Sequence, residues 1–126
     1  MKELVKKLVK VETALSKEKG ELELFALFLR EDAPNKWDLL VASPWAEKNK
    51  SDALRVLSGR LQKALTKNDL MKLSRIVIID QSNPALSAFQ KAIHVEHSDA
   101  EIRDSNFFGL QIRHAHVITS KRSKAA

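Results

Sequence analysis

The chain has 126 residues, no cysteine, 44% hydrophobic residues and 30% charged residues. This length and composition suit one globular domain with its own core, and they exclude disulfide bridges, thiolate metal sites and a cysteine nucleophile. The net charge of +6 is concentrated at the two ends, since residues 1–20 hold six lysines against three glutamates and the last residues are also basic. No apolar run is long enough to span a bilayer, and the N-terminus lacks the apolar core of a secretory signal. We therefore expect a cytoplasmic protein without a membrane partner.

The first half of the chain predicts a helix, a hairpin and a second helix. Apolar residues recur at helical spacing over residues 2–18, and Gly20 follows as a helix end. The run FALFL within ELELFALFLRED is apolar on both faces, WDLLVAS has a similar character, and the turn signal APN between them indicates an antiparallel hairpin. The second strand should end before Pro44, which cannot donate to a sheet ladder. A leucine stripe then predicts a helix from an N-cap at Ser51 to about Thr66.

The second half contains the run LSRIVIID, residues 73–80, which predicts the central strand of a sheet covered on both faces. The step from residue 36 to 80 should be a crossover that joins parallel strands. Pro84 opens a short helix. The stretch HVEHSDAEIRDSN is polar, with room for a short strand near Val95, and FFGLQIRHAHVITSKR is expected to be the last strand.

The element order α-β-β-α-β-α-(β)-β predicts a single α+β domain over residues 1–120, with a mixed four- or five-stranded sheet flanked by helices. A basic C-terminal tail of residues 121–126 follows. The expected core consists of apolar residues from the three predicted helices and the first three strands: Leu8, Val11, Phe25, Leu27, Leu40, Leu57, Leu61, Ile76, Ile78 and Phe89.

A candidate cleft is expected where the parallel strands end, because α/β sheets collect ligands beyond the carboxyl ends of their strands. It groups the following polar and aromatic residues: Asp38, Ser43, Trp45, Asp80, Ser82 and Asn83. The favoured interpretation is architectural, with the serines, Asn83 and Asp80 organising turns and helix caps and Asp38 marking the entrance to a strand. No residue is assigned a catalytic role.

Two of the four histidines, His114 and His116, share one face of the last strand, which is the geometry of two metal ligands. His94 and His97 in the preceding loop could add further ligands, and Glu96 and Asp99 could supply oxygen atoms. No established metal-binding spacing occurs. A half-exposed strand face or a subunit contact is therefore the favoured interpretation, and any cofactor is unknown.

The shortage of catalytic groups favours a non-enzymatic interaction module that self-associates into a homo-oligomer, with the last strand as the edge that pairs with a second copy. One alternative is a nucleic-acid-binding protein that uses basic residues of both ends: Lys6, Lys7, Lys10, Lys121, Arg122 and Lys124. A second alternative is a metal-dependent hydrolase or nuclease. The sequence does not decide whether the protein is an enzyme.

Overall fold

A computed structural model describes residues 1–122. In that range the chain forms five helices and five strands: α1 Lys2–Lys19, β1 Leu24–Arg30, β2 Trp37–Ala42, α2 Pro44–Lys48, α3 Lys50–Ala64, α4 Lys67–Met71, β3 Leu73–Ile78, α5 Pro84–Ala92, β4 Ala100–Phe107 and β5 Leu110–Ser120. The strands form one mixed sheet in the order β3-β2-β1-β5-β4. β2 and β3 are parallel, and the other neighbours are antiparallel. The predicted α+β fold with a mixed sheet is confirmed.

The sheet separates two apolar cores. α1 and α3 pack on one face, where they bury Phe25 and Leu27 of β1. α5 packs on the other face, where Phe89 lies 5.8 Å from Phe28 of β1 between ring centroids. β1 alternates between the two cores because successive side chains of a strand point to opposite faces.

The positions of two strands differ from expectation. β3 is an edge strand and not the centre of the sheet, so Ile76 and Ile78 are only half-buried, whereas the other eight predicted core residues are buried. β5 is an interior strand between β1 and β4 and not a free edge. A continuous apolar run indicates burial but does not say which strands become neighbours, since that choice depends on pairing between distant segments.

The last two strands form a hairpin that the sequence analysis did not resolve. FFGL is a turn and not the start of a strand, since Phe108 and Gly109 both adopt positive φ angles of 56° and 71°. Positive φ at both central residues is the geometry of a tight hairpin turn that follows the twist of the strands. The polar stretch before it therefore forms β4, which pairs along β5 from Ala100 to Phe107.

Two short helices also replace predicted connections. Ser43 caps α2, and Pro44 occupies its first turn, so β2 ends there as expected. Asn49, and not Ser51, caps α3. Thr66 and Asp69 form a reciprocal capping box that starts α4 where a break was expected. None of the helices in residues 1–122 has the length and apolar character needed to cross a bilayer.

Asp69 should make the stability of the protein depend on pH, because its carboxylate joins the N-terminal cap of α4 to α1. Its Oδ2 accepts hydrogen bonds from Lys7 Nζ at 2.8 Å and from the Thr66 backbone N–H at 3.1 Å. These bonds, that from Lys7 first, lower the pKa of Asp69 from 3.8 to about 2. The folded pKa lies below the unfolded one, so the carboxylate contributes stability that is complete above about pH 4 and is lost as the pH falls towards 2.

We expect Asp69→Asn to lower the free energy of unfolding at pH 7 by about 1 kcal/mol, a typical value for a lost helix cap. The difference from the wild type should shrink between pH 4 and pH 2 in urea unfolding curves. Glu31→Gln is the control, because Glu31 is exposed and forms no ion pair with any described residue. A difference that stays constant over that pH range would contradict this account.

Candidate functional site

Asp38 is the buried centre of an ion-pair cluster that spans three strands. Its Oδ2 lies 3.2 Å from Arg30 Nε on β1 and 3.3 Å from Arg75 Nε on β3. The Asp38 side chain is 4% exposed, so both guanidinium groups neutralise a carboxylate that water scarcely reaches. Asp38 therefore has the contacts of a residue that holds strands together.

The predicted strand-end cleft is divided between two ends of the sheet. Ser43 and Asp80 do lie at the same edge, since β2 and β3 are parallel and Ile79 N–H donates to Val41 O at 2.8 Å. Asp38 lies five residues before Ser43 along β2, about 16 Å away for an extended strand. The grouping of Asp38 with the strand-end residues is thus corrected.

The strand-end residues make structural contacts. Ser43 Oγ accepts from Ala46 N–H at 3.1 Å and Asn83 Oδ1 accepts from Ala85 N–H at 2.9 Å, so each caps a helix. Asp80 Oδ1 lies 2.7 Å from Lys50 Nζ, and the hydrogen bond and charge of Asp80 raise the pKa of Lys50. The two remaining members, Trp45 and Ser82, are half-buried and exposed respectively.

The C-terminal basic residues are already engaged by the fold. Lys121 is buried, with Nζ 2.6 Å from Glu96 and 3.3 Å from Glu21. Burial acts to lower the pKa of Lys121, but the hydrogen bonds that its ammonium group donates to the two carboxylates outweigh this effect and raise the pKa. Arg122 donates to Ser87 Oγ at 2.8 Å. Lys124 lies outside the described residues.

The basic residues of α1 lie elsewhere. Lys7 and Lys10 line a groove of about 450 Å³ between α1 and α3, together with Arg60 and Lys63. Lys6 lies outside that lining, 3.8 Å from Glu3. Lys7 is near the start of α1, whereas Lys121 contacts Glu21 beyond its end, and residues 7 to 19 span about 18 Å of helix. The basic residues of the two ends therefore do not converge on one surface, and nucleic-acid binding stays a prediction.

The four histidines fall into two groups. His94 is exposed, and His97 Nδ1 lies 2.5 Å from Oε1 of the fully buried Glu12, which ties the loop before β4 to α1. His114 and His116 instead join Glu101 of β4. Among the described residues, these three form the group of histidines and acids that could hold a metal ion, with one ligand atom from each lying within 4.8 Å of the others.

The register of the hairpin builds this cluster. Glu101 is directly opposite His116, and His114 is two residues away on the same face of β5. His114 Nε2 lies 2.6 Å from Glu101 Oε1, a hydrogen bond that lowers the pKa of Glu101. His116 Nδ1 lies 3.0 Å from Asp99 Oδ1. The Trp37 ring closes one side, with its centroid 5.3 Å and 5.6 Å from the two imidazole rings.

The shared face of the two histidines and the presence of Asp99 beside them were predicted from the sequence, whereas Glu101 was missed. Glu101 and Asp99 belong to a stretch that was interpreted as polar loop. The alternation of Ala100, Ile102 and charged residues between them was the available signal, because a period of two is typical of a strand with one covered face.

The second notable surface is an edge of the sheet, which we call the β3 edge and define as the side of Leu73–Ile78 that pairs with no strand in residues 1–122. Val41 accepts from Ile79 N–H, so its partner in the parallel ladder, Ile78, directs its own N–H and C=O away from β2. Ile76 does the same two residues earlier. A groove of about 370 Å³ follows this edge, with the side chains of Leu54, Leu61, Leu70, Leu73 and Ile76 in its lining.

Comparison with known proteins adds no relative, since no family model, no curated protein and no solved structure matches this chain.

The Asp38 cluster leads to a stability prediction. Asp38→Asn should lower the free energy of unfolding by about 2 kcal/mol in urea titrations, less than the 3–5 kcal/mol of a fully buried pair, because Arg75 is half exposed. Asp32→Asn is a matched control, because Asp32 also approaches Arg30, at 3.6 Å, but is 73% exposed. Equal effects of the two substitutions would contradict the assigned role of Asp38.

Proposed function

We propose that this protein is a non-enzymatic interaction module that forms a homodimer through the β3 edge. The observation that carries the proposal is the contrast between the two edges of the sheet. The proposal differs from the sequence-based expectation in the strand that it assigns to self-association, since β5 has neighbours on both sides. The cytoplasmic location expected from the sequence stays a prediction.

β4 carries the features that natural proteins use against unwanted edge pairing. Its exposed residues include Glu101, Arg103 and Asp104. Asp104 also adopts a φ of 47°, and the pairing passes from Arg103 to Ser105 without it, which interrupts the ladder. Charges and irregularities of this kind discourage the addition of another strand.

β3 lacks these features. The strand contains no proline and no lysine, and its one charged residue, Arg75, is bound to Asp38. Ile76 and Ile78 direct two N–H and two C=O groups outwards, and their side chains are half-buried. An apolar edge with unpaired backbone groups is a template for another strand.

A second copy of the chain matches this edge. In an antiparallel arrangement Ile76 of each copy faces Ile78 of the other, so outward backbone groups meet outward backbone groups, and Val77 lies on the two-fold axis. The basic end of the strand, with Lys72 and Arg75, then approaches the end that carries Asp80. A parallel arrangement lacks this complementarity because like ends meet.

Apolar surface beside the edge favours the same contact. Leu54 of α3 is 37% exposed and Met71 of α4 is 63% exposed, and both lie on elements next to β3. Pairing the edges extends the sheet to ten strands and brings the lining of the 370 Å³ groove towards its copy.

The test uses Val77→Cys, because the chain has no native cysteine. Directly opposed residues of a non-hydrogen-bonded antiparallel pair have Cα atoms about 4.5 Å apart, within the range of a disulfide. We expect mild oxidation to give a disulfide-linked dimer on non-reducing gels. Asn106→Cys on the β4 edge is the matched control and should form no disulfide-linked dimer, so it should run as a monomer on the same gels.

Light scattering on the wild type and on Ile78→Lys provides a second measurement. The wild type should be dimeric, and the lysine at the β3 edge should convert it to a monomer with an unchanged circular dichroism spectrum. Asn106→Lys should leave the dimer intact. A wild type that is strictly monomeric at millimolar concentration, or equal cross-linking of the two cysteine variants, would overturn the proposal.

A further inference from the structure

The β4–β5 hairpin carries a site that is independent of the β3 edge. We propose that Glu101, His114 and His116 bind a divalent transition-metal ion, with Zn²⁺ as the best match. The three residues come from two adjacent antiparallel strands, so their backbone positions are set by a regular hydrogen-bonded ladder. Such rigid support is what a metal site needs.

The donor atoms already lie near metal-binding geometry. Zn²⁺ binds histidine nitrogen and carboxylate oxygen at about 2.0–2.2 Å, which places tetrahedral donor atoms about 3.4 Å apart. The ligand atoms of Glu101, His114 and His116 lie within 4.8 Å of one another. The closest pair, His114 Nε2 and Glu101 Oε1, is 2.6 Å apart. Small side-chain rotations on fixed strands are therefore enough to surround an ion.

One ring nitrogen of His116 is not accounted for by the hydrogen bonds of the cluster. Its side chain is 8% exposed, and its Nε2 atom is buried without a hydrogen-bond partner among the described residues. Buried polar atoms are normally paired, so an unpaired ring nitrogen in a group of potential ligands indicates a missing partner. A metal ion would bind this nitrogen and would also neutralise the negative charge of the Glu101 carboxylate.

Asp99 gives His116 the second contact that is usual for a metal ligand. His116 Nδ1 lies 3.0 Å from Asp99 Oδ1. A proton on Nδ1 donated to this carboxylate leaves Nε2 as the deprotonated, metal-binding nitrogen. Asp99 is thus a positioning residue, which fixes the tautomer and the ring orientation without touching the ion.

The ligand set fits a zinc site that keeps one position open. Two imidazoles and one carboxylate suit a borderline ion such as Zn²⁺, whereas Mg²⁺ and Ca²⁺ prefer sites made of oxygen atoms. Trp37 covers the histidines on one side, and Glu101 is 46% exposed on the other. The fourth position therefore faces solvent and takes water or a donor group of a partner.

Binding requires two existing contacts to change. Arg103 donates to Glu101 Oε1 at 2.8 Å but is 68% exposed, so it can move into solvent. The hydrogen bond between His114 and Glu101 is replaced by two bonds to the ion, and the proton on His114 Nε2 moves through water to Nδ1, so that the bound ring stays a neutral imidazole. Because protons compete with the ion for its ligands, affinity should fall as the pH is lowered.

The experiment measures Zn²⁺ binding to the purified full chain by competition with a chromophoric chelator, together with the visible absorption of a Co²⁺-substituted sample. We expect one tight site per chain and the absorption of tetrahedral Co²⁺. Glu101→Gln and His114→Ala should weaken binding at least 100-fold, and Asp99→Asn about 10–100-fold. His94→Ala is the matched control, because His94 is exposed and outside the cluster, and it should bind like the wild type.

Circular dichroism of each variant checks that lost binding does not reflect unfolding, and Glu101 and Asp99 are exposed enough for their conservative substitutions to be tolerated. The inference is overturned if the wild type binds no Zn²⁺, if Glu101→Gln and His114→Ala bind as tightly as the wild type, or if His94→Ala loses as much affinity as His114→Ala. None of these results depends on whether the β3 edge forms a dimer.

Discussion

The burial of β1 on both faces is the constraint on which the rest of the structure depends. Phe25 and Leu27 point into one core, and Leu24, Ala26 and Phe28 point into the other. Each fully buried Leu or Phe contributes about 1.5–3 kcal/mol, so a strand of this kind is stable only at the centre of the sheet. β2 and β5 occupy the two sides of β1 in antiparallel orientation, and β3 and β4 become the edges.

The fold class was accessible from the sequence because it depends on local signals. Helical spacing defined α1, the turn APN joined β1 to β2, and Pro44 ended β2. The order of strands was not accessible, because it depends on contacts between distant segments. Residues 73–80 and β1 are both apolar runs, and only the pairing of β1 with β5, which begins some eighty residues later, assigns one to the edge and the other to the centre.

The candidate site, like the fold, was predictable from the sequence only where it depends on local patterns. The shared face of His114 and His116 follows from the period of a strand alone. Their carboxylate partners depend on the register of the hairpin, and that register is set by a turn in which Phe108 adopts positive φ. Bulky residues rarely adopt this conformation, so the sequence FFGL favoured a strand over a turn. The burial of Lys121 was likewise not predictable from local sequence, since it depends on Glu21 and Glu96 from two distant loops.

The β3 edge is mostly apolar, whereas the β4 edge carries charged residues. On β4 the features that prevent pairing with another strand must therefore be distinguished from those that support metal binding. Charged residues such as Glu101 and Arg103 keep an edge strand from pairing whether or not a metal is bound. Their presence alone therefore does not indicate a metal site. A buried His116 contributes nothing to edge protection, because it lies on the interior strand β5 with an unpaired Nε2 and an Nδ1 held by Asp99. The case for the metal thus depends on the histidine that the fold buries, and the exposed acid opposite it serves both purposes.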